Sequence, residues 1–358
     1  MRKGVTIDLW ILVPFITLLL FSVAIIRSVS PGEIPQHLLY LGIAIFVWII
    51  ISSVDYRLFA SFSAALYGIG LLLLLITLVF GPLTRGSIRW ITLGPLTIQP
   101  SELIKPIMIL VLARFAVHWK LHRAKQGIAY LLLLAVPLLL VFKQPDLGSS
   151  LVLAAAGLSI AFMGGISLRA FALILAGIVV LLPLTGSLLK PYQRERLVSF
   201  LDPYADPLGS GYSVIQSVIA VGSGQIVGRG LGHGTQSQLR FLPERHSDFI
   251  FASLAEELGI VGALVILGCY LALFVRLLRI CRQANDSFGS LIAIGVFSTI
   301  FFQMTVNIGM NLGLLPVTGI TLPLISSGGS SLLATSASLG LAQSVARRTR
   351  PQETIEIH

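Results

Sequence analysis

Between residues 240 and 251 the chain reads RFLPERHSDFIF, which sets Arg240, Glu244, Arg245, His246 and Asp248 directly before a long apolar run. Guanidinium groups hold phosphates through paired N–H donors, and carboxylates and imidazoles take up protons. Charge is scarce elsewhere, so a cluster at the edge of an apolar segment demands a cause. Asp248 has two readings: a cap for residues 249–251, favoured by the helix dipole, or a functional carboxylate.

Three more stretches place ionisable or helix-breaking residues where apolar ones are expected, at a cost of a few kcal/mol per charge at membrane depth. In GSIRWITLGPLTIQPSELIKP, residues 86–106, Ser101 reads as an N-cap with Glu102 in the first turn. Glu102 and Lys105 are three apart and share a helix face. They form either a self-neutralising pair or, through Arg89 and Lys105, a contact for an anionic headgroup near the outer surface. Asp146 follows Pro145 and opens a helix as a capping carboxylate. Glu256 and Glu257 fall about 12–13 Å beyond Asp248 along a continuous helix, with Lys105 and Arg114 as partners in a structural role. PVTGITLPLISSGGSS, residues 316–331, breaks its span. The break either frees backbone N–H groups for an anion or packs tightly through small residues.

The elements that must position these groups are apolar. Of 358 residues, 55% are hydrophobic and 11% are charged, against about 25% charged in a soluble domain. Hydropathy gives ten spans, near 8–26, 37–54, 58–80, 102–118, 127–142, 149–165, 168–188, 249–275, 288–314 and 320–345. The first follows Arg2 and Lys3 without a small-residue cleavage site, so it reads as a retained helix. The segments that face one side hold Arg2, Lys3, Arg57, Lys120, Arg123, Lys125, Arg169, Arg276, Arg279, Arg282, Arg347, Arg348 and Arg350. The short loops opposite hold only Arg27, Arg85, Arg89 and Lys143. Positive charge marks the cytoplasmic side, so both termini are expected there. The net charge of +10 is then topology signal, and a nucleic-acid partner is excluded.

The expected fold is an all-α integral membrane protein. It is a polytopic bundle of ten transmembrane helices in one domain over 1–358, with a large extracytoplasmic loop, about 189–248, between helices 7 and 8. Within that glycine-rich loop, residues 212–221 read as a short amphipathic helix with Val214, Ile215, Val218 and Ile219 on one side. Cys269 and Cys281 show neither CxxC spacing nor a histidine cluster, which argues against a disulfide and a zinc site.

The motifs QPSELIK, QPDLGSS, FLDPYADPLGSGYSVIQSVIAVGSG, RFLPERHSDFIFASLAEELG and GITLPLISSGGSS together resemble the SEDS family (shape, elongation, division and sporulation), also called FtsW/RodA/SpoVE, over nearly the whole chain. The short termini are more like its elongation member than its division member. The resemblance implies a peptidoglycan glycosyltransferase of the bacterial cytoplasmic membrane that polymerises lipid II. It also implies a class B penicillin-binding protein as the transpeptidase partner. The family's E-x-H-[TS]-D-F motif puts its essential aspartate on Asp248, here a base for the acceptor hydroxyl. Arg194, Arg196, Arg240 and Arg245 are then candidates for the pyrophosphate, with Arg89, Glu102, Lys105 and His246 as further substrate-binding residues. A divalent cation, Mg or Mn, is an open option without a carboxylate cage to hold it. Ser247, Gln225 and Ser327 depart from the family pattern.

Two rivals fit parts of the same sequence. A lipid II flippase would use Glu102, Lys105, Glu256, Glu257 and a broken last span. A non-catalytic scaffold of the cell-wall complex would tolerate loss of Asp248.

Overall fold

The computed structural model describes residues 7–81, 89–93, 96–184, 196, 198–209 and 211–349. Helices α1 (Leu9–Val29), α2 (Ile34–Ser53), α3 (Tyr56–Ser61), α4 (Ser63–Phe80), α5 (Pro100–His118), α6 (Ala124–Lys143), α7 (Leu147–Met163) and α8 (Leu168–Leu184) fill the first half. They are followed by α9 (Tyr212–Ser223), α10 (Thr235–Gln238), α11 (Ile250–Gln283), α12 (Ser287–Asn311) and α13 (Gly329–Arg348). All but α3, α9 and α10 fall on the ten expected spans.

Six of them, α1, α2, α4, α6, α11 and α12, are long and apolar enough to cross a membrane. The other four depart for reasons of position or length. Helix α5 carries Glu102 and Lys105, both buried, and α13 is built largely of serine, alanine and glycine and is buried along nearly its whole length. Helix α7 has 17 residues, and α8 has 17 among the described residues, which stop at its end. Helix α5 meets α4, α7, α12 and α13; α13 lies along α2; α12 sits between α7 and α11. Inner helices meet other helices in place of lipid, so small residues that let backbones approach suit them better than bulky apolar ones.

The last span starts later than 320. Residues 312–328 are not helical, as the prolines and glycines lead one to expect, and Gly313, Gly319 and Leu324 have positive φ. Small-residue packing holds here too: a Cβ on Gly329 would lie 2.4 Å from the Tyr40 ring.

The loop before α11 is folded. Helix α9 packs on α11, burying Val214, Ser217 and Ala220. Val218 and Ile219, on the expected apolar side, stay 45% exposed, while Val214 of the same side is buried. The docking depends on a break in α11 at Gly259, with φ 65° and ψ −166°. A break leaves backbone groups without helical partners, and an unpaired group in an apolar setting costs several kcal/mol. Here the loop supplies them. Gln225 O accepts from Ile260 N (2.9 Å) and Ile226 O from Val261 N (3.0 Å), while Arg229 N and Gly230 N donate to Glu256 O and Glu257 O, both at 3.0 Å. At Gly228 the approach leaves no room for a side chain, since a Cβ there would lie 2.2 Å from Glu257 O.

The seam also corrects the expected partners of the two glutamates. Glu256 accepts from Gln236 N (2.8 Å), Ser237 N (3.0 Å) and Ser237 Oγ (2.8 Å) at the start of α10. Glu257 accepts from Ser28 Oγ (2.8 Å), in the last turn of α1, and from Gln238 Nε2 (3.0 Å). Neither pairs with Lys105 or Arg114. The helical stretch before Gly259 thus presents both carboxylates to the loop and to the end of α1, which they hold.

A two-stranded hairpin is the exception to the all-α description. β1 (Ile91–Leu93) and β2 (Leu96–Ile98) pair antiparallel, Thr92 opposite Thr97. The Tyr40 hydroxyl donates to Thr97 O (2.9 Å) and accepts from Thr97 N (2.6 Å). The hairpin thereby fixes Arg89 at its entry and Gln99 at its exit.

Candidate active site

Asp248 does not cap α11. The residue before the helix is Phe249, whose own side chain offers no acceptor. Instead Asn311 of α12 accepts from Ala252 N through Oδ1 (3.0 Å). Its Nδ2 donates to Asp248 O (3.0 Å), as does Asn307 Nδ2 (2.9 Å), which also donates to Ile320 O (2.7 Å). Two asparagines four residues apart on one face of α12 thus clamp the Asp248 backbone and leave its carboxylate to turn elsewhere. The preceding residues are held to the broken stretch before α13, with Ser327 N donating to His246 O (2.8 Å) and Ser326 Oγ to Ser247 O (2.7 Å).

The carboxylate faces Arg196. A methyl group placed on Gly319 would lie 3.6 Å from Asp248 Oδ2 and 3.7 Å from Arg196 Nη1, so acid and guanidinium border one small space above a residue with no side chain. Arg196 also donates from Nη1 to Val317 O (3.1 Å). Burial pushes the Asp248 carboxyl above the ordinary aspartate range. Arg196 pulls against that push, Glu244 reinforces it, and Arg89 and His246 oppose it.

A second cluster lies around Asp146. Its Oδ1 caps α7 through Ser149 N (3.2 Å), as the sequence leads one to expect, and Oδ2 accepts from Ser101 Oγ and Gln99 Nε2, both at 2.8 Å. Arg89 lies 3.8 Å from Oδ1 and donates to Pro145 O. Burial raises the Asp146 carboxyl, but Arg89, Ser101 and Ser149 together bring it below the usual value, so it stays charged. Ser101 is not the N-cap of α5. That place falls to Gln99, which frees the Ser101 hydroxyl for Asp146. Beside it Glu102 and Lys105 form a buried pair at 2.5 Å, with Ser149 Oγ 3.3 Å from Glu102 Oε1. The two clusters flank the same loop, since Gly148 packs against Ile320 and the Thr318 carbonyl.

Not every expected residue converges. Arg245 donates to Val29 O (3.0 Å) at the end of α1, an anchoring contact, and Arg240 is exposed with φ +62°. Arg194 lies outside the described residues. Asn307 and Asn311 were missed in the sequence; their signal was a pair of amides at i, i+4 in an otherwise apolar helix. Among the described residues, no group of three or more His, Cys, Asp or Glu side chains is placed to hold a metal. A divalent cation at Asp248 would therefore need substrate oxygens to complete its six or more ligands.

Residues 4–351 match the model of a family of cell cycle proteins, FtsW, RodA and SpoVE. The chain is 40% identical over 352 residues to peptidoglycan glycosyltransferase MrdB of Escherichia coli K12, covering 95% of this chain and 94% of that protein. It is 36% identical to stage V sporulation protein E of Bacillus subtilis, covering 95% and 97%. Among solved structures it resembles a chain from a peptidoglycan synthase complex that coordinates polymerization and crosslinking (TM-score 0.83, 34% identity, 96% and 99% covered). It also resembles RodA of Thermus thermophilus (TM-score 0.74, 28% identity, 98% and 100% covered).

Proposed function

The chain belongs to the FtsW, RodA and SpoVE family of cell cycle proteins, and on that premise we propose that this multi-pass membrane protein is a peptidoglycan glycosyltransferase that polymerises lipid II. The observation that carries the site assignment is the shared space of Asp248 and Arg196 beside Gly319. Asp248 takes the proton from the acceptor sugar hydroxyl, whose oxygen forms the new bond to the donor's anomeric carbon. The bond from that carbon to the pyrophosphate breaks, and undecaprenyl pyrophosphate leaves with the electron pair. One displacement inverts the anomeric centre and needs one carboxylate on the attacking side, as in inverting glycosidases. Cations replace a general acid by stabilising the leaving phosphates; Arg196, which borders the same space as Asp248, takes that part in the proposal, and Arg89 also acts on the Asp248 carboxyl.

A base must be ionised to act, so the rate rises as pH climbs through its pKa. Because that pKa is raised, chiefly by burial, the acid limb of the pH–rate profile is expected above the value of about 3.9 for an ordinary aspartate. Arg196→Met removes the charge that opposes burial, so its limb is expected at still higher pH. Profiles of kcat measured on both proteins check this; a limb that stays put in the variant removes Arg196 from the base's environment.

Ten membrane crossings with both termini in the cytoplasm, and a class B penicillin-binding protein as transpeptidase partner, complete the proposal. The charge asymmetry of the loops supports the first. The likeness to a chain of the synthase complex supports the second. The flippase reading draws on Glu102, Lys105, Glu256, Glu257 and the broken last span, but Glu256 and Glu257 are taken up by the loop, and the space beside Glu102 and Lys105 leaves no room even for a water molecule, where ligand sites begin at about 300 Å³. Proteoliposomes carrying the protein and its partner decide between the two. Glycan formed from externally presented lipid II, with no headgroup crossing, is the expected result. Crossing without polymer would establish the transporter.

A further inference from the structure

Far from Asp248, a recess of about 520 Å³ opens between the last turns of α5 and α7 and the turn that joins α11 to α12. Helix α12 separates the two places: it starts at the recess and ends at Asn311, a length of 25 residues, or roughly 37 Å. One wall is apolar and outward-facing, with Val117 and Met163 exposed by 42% and 51%. The other wall is polar, formed by Arg282, Asn285 and Ser287. Asp286 also borders it, but its carboxylate is engaged: Oδ2 accepts from Tyr56 Oη (2.6 Å) and Arg57 Nε (2.8 Å), and Oδ1 from Gly289 N (2.7 Å). Arg282 is exposed and enters none of the ion pairs found among the described residues. Trp119, 47% exposed, follows the apolar wall by two residues, and tryptophan is enriched where membrane meets water.

A positive group at that level, beside an apolar wall open to the membrane, fits an amphiphile with a negative head. We propose that this recess seats one anionic phospholipid of the adjoining leaflet, its phosphate on Arg282 and an acyl chain along Val117 and Met163. Basic pockets between membrane helices hold such headgroups elsewhere. A soluble phosphate would leave the apolar wall unused, and a zwitterionic lipid brings a cation towards Arg282.

The full-length protein, delipidated in detergent, is offered phosphatidylglycerol or phosphatidylcholine at equal concentration, and the bound fraction is read by native mass spectrometry. Phosphatidylglycerol is expected as one retained copy, preferred by about fivefold. Arg282→Gln is expected to erase the preference and Arg282→Lys to keep part of it. Ser287→Trp, which obstructs the exposed mouth without changing charge, is expected to lower retention. Arg279→Gln, three residues away, is expected to change nothing. Thermal unfolding of each variant separates lost binding from lost folding. Equal retention of the two lipids overturns the proposal, as does unchanged retention by a folded Arg282→Gln or equal loss in Arg279→Gln. So does a thermal shift from inorganic phosphate as large as that from the lipid.

Discussion

Asp248→Asn is expected to lower glycan formation from lipid II by about 10²- to 10⁴-fold, the usual contribution of a positioned general base, while lipid II binding persists. The substitution keeps the shape of the side chain and leaves the backbone clamp intact, because Asn307 and Asn311 hold the Asp248 carbonyl and not its carboxylate. It removes one negative charge beside Arg196, which can only favour an incoming pyrophosphate. Rate and binding should therefore separate. Labelled lipid II measures both, as polymer on a gel and as equilibrium binding to the purified protein. Polymer at the normal rate from a folded variant would end the base assignment, and a normal rate per bound lipid with weak binding would make Asp248 a binding residue.

Gly259→Ala is expected to cost at least about 3 kcal/mol. The backbone there has φ 65° and ψ −166°, a region held almost only by glycine, with about 1–3 kcal/mol of strain for other residues. The new methyl would also lie 2.3 Å from Gly228 N and 2.5 Å from Ile226 O. Relief requires the loop to withdraw, which breaks the bonds to Ile260 N and Val261 N and leaves two donors of a membrane helix unpaired, each at several kcal/mol in lipid. Gly222→Ala is the control, because its Cβ would meet nothing within 4 Å. Thermal unfolding and protease sensitivity of residues 224–230 should change strongly in the first variant and little in the second. An unaltered midpoint in Gly259→Ala would disprove the seam.

Much of the architecture was legible because apolar runs of about 20 residues have one common solution in lipid. Helix α5 was legible despite its charges, since Glu102 and Lys105 share a face and neutralise each other. Asp146 was read correctly as a cap because capping depends on neighbours in sequence. The partners of Glu256 and Glu257 were misread for the opposite reason: they are donors of the preceding loop and of Ser28 in α1, and nothing in the local sequence points to them. Asp248 and Arg196 stand 52 positions apart by number in the chain, so that no local rule joins them; only the loop at Gly319 brings them together. The asparagines of α12 were hidden likewise, since their partners are backbone atoms far away in sequence.

The interruption at Gly259 has a mechanical result. The residues that carry the carboxylate are fastened to α12 by side-chain amides, while beyond the glycine α11 leans on the same helix through Phe274, which meets the rings of Phe297 and Phe301. A load on that outer shaft therefore passes into α12 as well as into the joint.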